Sequence, residues 1–204
     1  MCFRDRLFAA CYDALNWGVE GRVATYRRYT AGQTWGDVLE IGGGTGANLP
    51  YYPPDVRLTV VEPNPHMVMR LRRKAQRVRR EINVVSGVGE ELAFAEASFN
   101  CVVTTLVLCM VEDLERVVSE ARRVLMPGGS FFFYEHVVSP RCAGRKWQDR
   151  LNPAWNFITT GCNLNRDIAG AINNAGFRSV DVTAFDLSIG MPITIPNIVG
   201  IAAS

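Results

Sequence analysis

Two carboxylates and a run of glycines are the residues of this chain whose types and spacing could do chemistry. Glu40 stands two positions before the first glycine of Gly42-Gly43-Gly44-Thr45-Gly46-Ala47-Asn48, and Glu62 follows twenty positions after Gly42. Glycines at a strand-to-helix turn let a ligand approach backbone N–H groups closely, because no Cβ intervenes. A dinucleotide fingerprint needs G-x-G-x-x-G, but reading from Gly42 puts Ala47 at the third glycine, and reading from Gly44 puts Leu49 there. The pyrophosphate reading therefore fails. An acid ahead of the turn would repel a phosphate and suit a cationic ammonium group. Glu62 can accept both hydroxyls of a ribose. Two acids with a glycine turn between them describe a ligand that has a ribose and an amine but no phosphate, as S-adenosylmethionine does.

Strands and helices must hold these groups in place, and the hydrophobic pattern supplies them in alternation. Val38–Ile41, Arg57–Val61, Ile82–Val85, Cys101–Val107 and Ser130–Tyr134 read as short apolar strands. Met67, Leu71, Ala75 and Val78 form one helical stripe between them, and Leu114, Val117, Val118, Ala121, Val124 and Leu125 form another that ends at Pro127-Gly128-Gly129. Strands apolar on both faces and alternating with helices imply an α/β, doubly wound parallel sheet covered on both sides. The first 35 positions read as helical, with Phe8, Cys11, Tyr12 and Leu15 at helical spacing. Residues 137–162, which carry Trp147, Trp155, Pro140 and Pro153, show no clean period and read as an irregular insertion. After it, Asn165 is the expected cap of a helix with Ile168, Ile172 and Ala175 on one face, and Phe177–Phe185 and Pro196–Ala202 read as closing strands.

Over residues 36 to 136 the sequence resembles the class I S-adenosylmethionine-dependent methyltransferases. The resemblance rests on the glycine motif, on Glu62-Pro63-Asn64-Pro65-His66-Met67, on Gly87-Val88-Gly89-Glu90-Glu91-Leu92-Ala93-Phe94, on Ser98-Phe99-Asn100-Cys101-Val102-Val103, and on Arg123-Val124-Leu125-Met126-Pro127-Gly128-Gly129. It implies a Rossmann-like, mostly parallel sheet of seven strands with the last antiparallel. It also implies cofactor contacts at Glu40, Gly42, Gly43, Gly44, Gly46, Asn48, Glu62, Pro63, Met67, Gly89 and Glu90, with Thr104 and Leu106 beside the methionyl part. Val88 stands where the family carries an acid and Asn100 where it carries Asp, which leaves the backbone near Gly89 and Glu90 for the adenine amine. Thr105-Leu106-Val107-Leu108-Cys109, Glu135-His136-Val137, Trp147-Gln148, Asn152-Pro153-Ala154-Trp155 and Gly161-Cys162-Asn163-Leu164-Asn165-Arg166 are similar to the small alkyl-thiol methyltransferases and their bacterial relatives.

That resemblance implies direct in-line transfer of a methyl group to a small acceptor, a thiol by the subfamily match. A phospholipid or small-amine N-methyltransferase is the alternative, since such enzymes share the cofactor half. A non-catalytic cofactor-binding protein is a second alternative, against which Glu40, Glu62 and the complete glycine motif speak. Tyr12, Cys109, Trp147 and Trp155 are the expected acceptor contacts. His136 is the candidate catalytic group, as a base or substrate anchor, with a structural histidine bonded to the insertion as the other reading. Cys109 and Cys162 read as buried small apolar residues rather than nucleophiles.

Composition bounds the rest. Of the 204 residues, 22 are Lys or Arg and 20 Asp or Glu, a formal net charge of +2 that gives no general field for a polyanion. Arg70, Arg72, Arg73, Lys74, Arg77, Arg79 and Arg80 crowd one helix, but its apolar stripe makes them a solvated face, and no aromatic platform suggests nucleic acid. Weak peripheral contact with an anionic membrane stays open. Six cysteines include no C-x-x-C pair, so no metal is expected, and a reducing cytoplasm fits them. No apolar run reaches the roughly 20 residues a membrane-spanning helix needs. The chain therefore reads as one methyltransferase domain over 1–204, with residues 1–35 as a helical lid and 137–162 as the acceptor-side insertion.

Overall fold

The computed structural model describes residues 20–188 and 194–204. The helical reading of Phe8, Cys11, Tyr12 and Leu15 lies outside them. Seven strands form one sheet: β1 (Asp37–Ile41), β2 (Arg57–Val61), β3 (Asn83–Val85), β4 (Phe99–Thr105), β5 (Leu125–His136), β6 (Ser179–Ser188) and β7 (Thr194–Ala203). Their order across the sheet is β3-β2-β1-β4-β5-β7-β6. β1 pairs in parallel with β2 and β4, β4 with β5 and β2 with β3, whereas β7 runs antiparallel to both β5 and β6. The strand order reverses between β1 and β4, and in an open α/β sheet the crevice for a ligand lies at the carboxyl ends of those strands.

Both sheet faces are covered, as strands apolar on both sides require. On one face Leu39, Ile41, Val102, Phe131 and Phe133 pack against Val117, Val118 and Ala121 of a helix over Leu114–Val124 (α3). On the other, Val38, Val60, Cys101, Val103 and Phe132 meet Leu71 and Ala75 of a helix over Pro65–Arg77 (α2). Asn64 caps α2 by accepting the N–H groups of His66 and Met67, so the turn that follows Glu62 also starts the helix. Arg72, Arg73, Arg77 and Arg79 are exposed, whereas Arg70 and Lys74 are half-buried, Arg80 turns inward to donate to the Tyr52 and Pro53 carbonyls, and Val78, expected in the apolar stripe, is exposed. A helix over Glu20–Tyr29 (α1) is fastened to the edge of the sheet by Tyr26, whose ring stacks 4.2 Å from that of Phe185 and 5.1 Å from that of Tyr134.

Two local expectations change. The segment read as irregular contains a helix over Cys142–Ile158 (α4) with Pro153 inside it. None of its residues is buried, so it lacks the apolar stripe from which a helix is recognised. Its inner face is instead a row of amides at helical spacing, Gln148, Asn152 and Asn156. Gln148 Nε2 donates to the Val137 carbonyl, Asn152 Oδ1 accepts from Leu164 N at 2.7 Å, and Asn156 Nδ2 donates to Asn163 Oδ1. The following helix, Ile168–Asn174 (α5), is capped by Asp167, which accepts from Gly170 N, and not by Asn165, whose side chain donates to Asp149.

Candidate active site

The turn after β1 is closed by short backbone contacts. Gly42 N donates to the Val61 carbonyl at 2.8 Å, and Gly44 N donates to Glu62 Oε2 at 2.8 Å. Glu62 Oε1 accepts from Asn64 N at 2.9 Å, so each of its oxygens keeps one lone pair for a ligand. Gly42 has φ +70°, and a Cβ there would lie 2.5 Å from Val107 Cγ2. The turn and the loop after β4 could not approach so closely around any other residue.

These elements enclose a cavity of about 600 Å³. Of the residues singled out from the sequence, Gly42, Gly44, Glu62, Pro63, Met67, Gly89, Glu90 and Leu106 line it, together with Val88, Val107, Met110, Val111 and Thr160. Gly43 faces inward instead, where a Cβ would strike Val60, and Gly46 faces Leu49 and Leu71. Glu90 also steadies the rim: its Oε1 accepts from Glu112 N and its carbonyl accepts from Arg116 Nε, both at 2.8 Å. Asn100 supports β1 from below by accepting from Asp37 N.

Glu40 lies under the turn and is buried. Its Oε1 accepts from Asn48 Nδ2 at 2.8 Å, and its Oε2 has no hydrogen-bond partner. Asn48 is held in turn by Arg27 of α1, which donates to Asn48 Oδ1 at 2.7 Å, and Asn48 Nδ2 also reaches Thr105 Oγ1 at 3.0 Å. Burial raises the Glu40 carboxyl to about 7, against the pull of Asn48, of the buried Tyr52 hydroxyl and of the Arg27 cation. Arg27 has no motif around it and went unseen in the sequence. Only the packing of α1 brings it here.

The loop after β4 and the end of β5 adjoin the glycine turn. Leu106 sits at φ +57°, a conformation that costs a non-glycine residue roughly 1–2 kcal/mol. Buried Glu135 holds that loop by accepting N–H bonds from Val107 at 3.0 Å and Leu108 at 3.2 Å, and burial raises its carboxyl to about 7. His136 is buried with Nε2 2.9 Å from Cys162 Sγ, and its Nδ1 has no partner. Trp155 Nε1 donates to the same sulfur at 3.2 Å, and Cys109 Sγ lies 3.6 Å from it. Trp147 is 62% exposed, and none of Cys109, His136, Trp147 and Trp155 is among the residues lining the cavity. Thr104 is fully buried behind it, and Tyr12 lies outside the described residues.

A parallel sheet with a glycine turn and an acid at the ends of its first two strands defines a nucleoside-binding α/β enzyme whose ligand needs no phosphate site. The family model described as "Methyltransferase domain" matches residues 39–133. Human thiol S-methyltransferase TMT1A is 38% identical over 170 residues, covering 81% of this chain and 69% of that protein. Human thiol S-methyltransferase TMT1B is 40% identical over 150 residues, 71% of this chain and 61% of that protein. The chain belongs to this methyltransferase family and is an S-adenosylmethionine-dependent methyltransferase. A solved structure from Thermotoga maritima, described as an S-adenosylmethionine-dependent methyltransferase and possible histamine N-methyltransferase, shares the fold with a TM-score of 0.70 at 20% identity. The match covers 100% of this chain and 99% of that one. The residues present fit the cofactor. Glu40 offers a buried, unpartnered carboxylate oxygen, Glu62 has lone pairs facing the cavity, and the glycines leave its floor open.

Proposed function

We propose that the chain transfers the methyl group of S-adenosylmethionine to the sulfur of a small thiol by direct in-line displacement. The observation that carries this reading is the extent of the likeness to TMT1A. A match over 170 residues extends past the cofactor half and into the acceptor side. The chain spans about two thirds of the length of TMT1A and somewhat less of TMT1B.

In this reading Glu62 holds the ribose hydroxyls, and Glu40 with Asn48 faces the ammonium group. Met67 and Pro63 pack on the adenine, and the backbone at Gly89 and Glu90 meets its amine. The glycines 42, 43, 44 and 46 let the turn close on the ligand, and Thr104 and Leu106 flank the methionyl part. The cofactor supplies an electrophilic methyl group on a sulfonium. The protein's task is to align the acceptor and exclude water, for which Leu106, Val107, Met110 and Val111 provide an apolar wall. A thiol with a pKa of about 8.5 is already partly ionised at neutral pH, so no base has to take its proton in the transition state. Of the two readings of His136 we adopt the structural one, because Cys162 occupies its Nε2. The α4 segment, through Trp155, and residues 1–35, through Tyr12, would shape acceptor choice.

The free cysteines at 101, 109, 142 and 162 support a cytoplasmic location. Among the described residues no helix is long and apolar enough to cross a membrane. The exposed arginines of α2 support a solvated face with at most weak attraction to anionic lipid, and no nucleic-acid partner is proposed. The test is labelled-methyl transfer to a panel of alkyl and heteroaryl thiols, phenols, amines and phosphatidylethanolamine. Thiols should be labelled first, and exclusive labelling of the lipid would overturn the reading.

A further inference from the structure

Three soft ligating atoms converge on the acceptor side, and methyl transfer does not use them as a set. Cys109 belongs to the loop after β4, His136 is the last residue of β5, and Cys162 follows α4. His136 Nε2 is 2.9 Å from Cys162 Sγ, the two sulfurs are 3.6 Å apart, and all three atoms lie within 4.8 Å of one another. All three residues are buried. We propose that Cys109, His136 and Cys162 form a binding site for a thiophilic divalent cation, with zinc the ion whose chemistry the set fits.

Zinc binds cysteine sulfur at about 2.3 Å and histidine nitrogen at about 2.0–2.1 Å, so tetrahedral coordination puts two sulfurs about 3.7 Å apart and nitrogen about 3.5 Å from sulfur. The sulfurs already stand at that separation. The imidazole has to withdraw from Cys162 by about 0.6 Å and stand about 3.5 Å from Cys109 Sγ, now within 4.8 Å, to reach the tetrahedral spacing, and because Nδ1 has no partner, no second hydrogen bond resists the movement.

The surroundings also suit a metal-bound thiolate. The Cys162 thiol is held below the usual thiol range, first by the Cys109 hydrogen bond and then, against its burial, by His136 and by the Trp155 indole N–H. Cys109 keeps its proton because its neighbour's sulfur and its own burial push it up, while the Arg166 guanidinium, which donates to the Leu108 carbonyl at 3.0 Å, works in the opposite direction. Burial disfavours the His136 cation, but the Cys162 sulfur outweighs it and the ring's pKa ends raised. An entering ion binds both cysteines as thiolates and the histidine as neutral imidazole, forming two metal–sulfur bonds and one metal–nitrogen bond while the protons these groups carry leave to solvent, with no change of oxidation state. Three protein ligands leave the fourth position of a tetrahedral ion open.

The test uses the full chain, reduced, stripped with a chelator and titrated with Co²⁺ as a coloured substitute for zinc. One Co²⁺ per chain is expected, with intense thiolate-to-cobalt charge-transfer absorption, release of protons on binding, and bleaching on addition of Zn²⁺. Cys109→Ser, Cys162→Ser and His136→Asn should each weaken cobalt affinity roughly tenfold or more. A wild-type titration without thiolate charge transfer, or equal affinity in wild type and all three variants, would overturn the site. If a variant fails to fold, the wild-type spectrum alone decides, since only bound thiolates produce that absorption.

Discussion

Glu40 combines burial with an unused oxygen, and that combination makes its charge state depend on what is bound. With its carboxyl raised to about 7 by burial, the folded protein holds a proton between the ordinary carboxylate range and pH 7 that the unfolded chain has lost. This residue's contribution to stability therefore falls as pH rises through that window. A bound ammonium pairs only with the ionised form, so cofactor affinity should decline as pH drops below 7, by up to about tenfold per unit. Calorimetric titration with S-adenosylhomocysteine between pH 5.5 and 8 measures this. Glu40→Gln should bind roughly tenfold or more weakly, without that pH dependence. At this scale the sequence was informative wherever local spacing carries meaning. Glu40 and Glu62 could be read from their offsets to the glycines. Arg27 and the approach of Cys162 to His136 could not, because each joins residues that only the closed sheet makes neighbours.

Among the elements, the loop after β4 is the most tightly determined, pinned by Glu135 from one side and met by the glycine turn from the other. Glu135→Ala removes the acceptor for two N–H groups and should cost roughly 2–4 kcal/mol in urea unfolding. Gly42→Ala combines a positive φ with a collision at Val107, and should weaken S-adenosylhomocysteine binding at least about tenfold, because Val107 must yield into the cavity. α2 and α3 were legible because each buries an apolar stripe at helical period. β5 was found but begins at Leu125 rather than Ser130, since the Pro127-Gly128-Gly129 turn signal conceals a strand that continues through an irregularity opposite Phe99 and Cys101. α4 escaped because its inward face is made of amides and hydrophobic periodicity has nothing to register there.

Taken as a whole, the molecule couples two kinds of cohesion. The sheet with α2 and α3 is held by buried apolar area, while α4 is latched by the side-chain hydrogen bonds of Gln148, Asn152 and Asn156 and by Trp155 on Cys162. Such latches release little hydrophobic surface when they open, so the opening should respond only weakly to denaturant. In native-state hydrogen exchange, the amides of Cys142–Ile158 should exchange well before those of β1, β4 and β5, at a rate nearly independent of low urea concentration. Slow exchange of α4 in step with the sheet would show instead that the molecule opens as one unit. The row of three amides should thus give α4 its own, lower melting threshold, so that this flank opens while the sheet beneath the glycine turn stays closed.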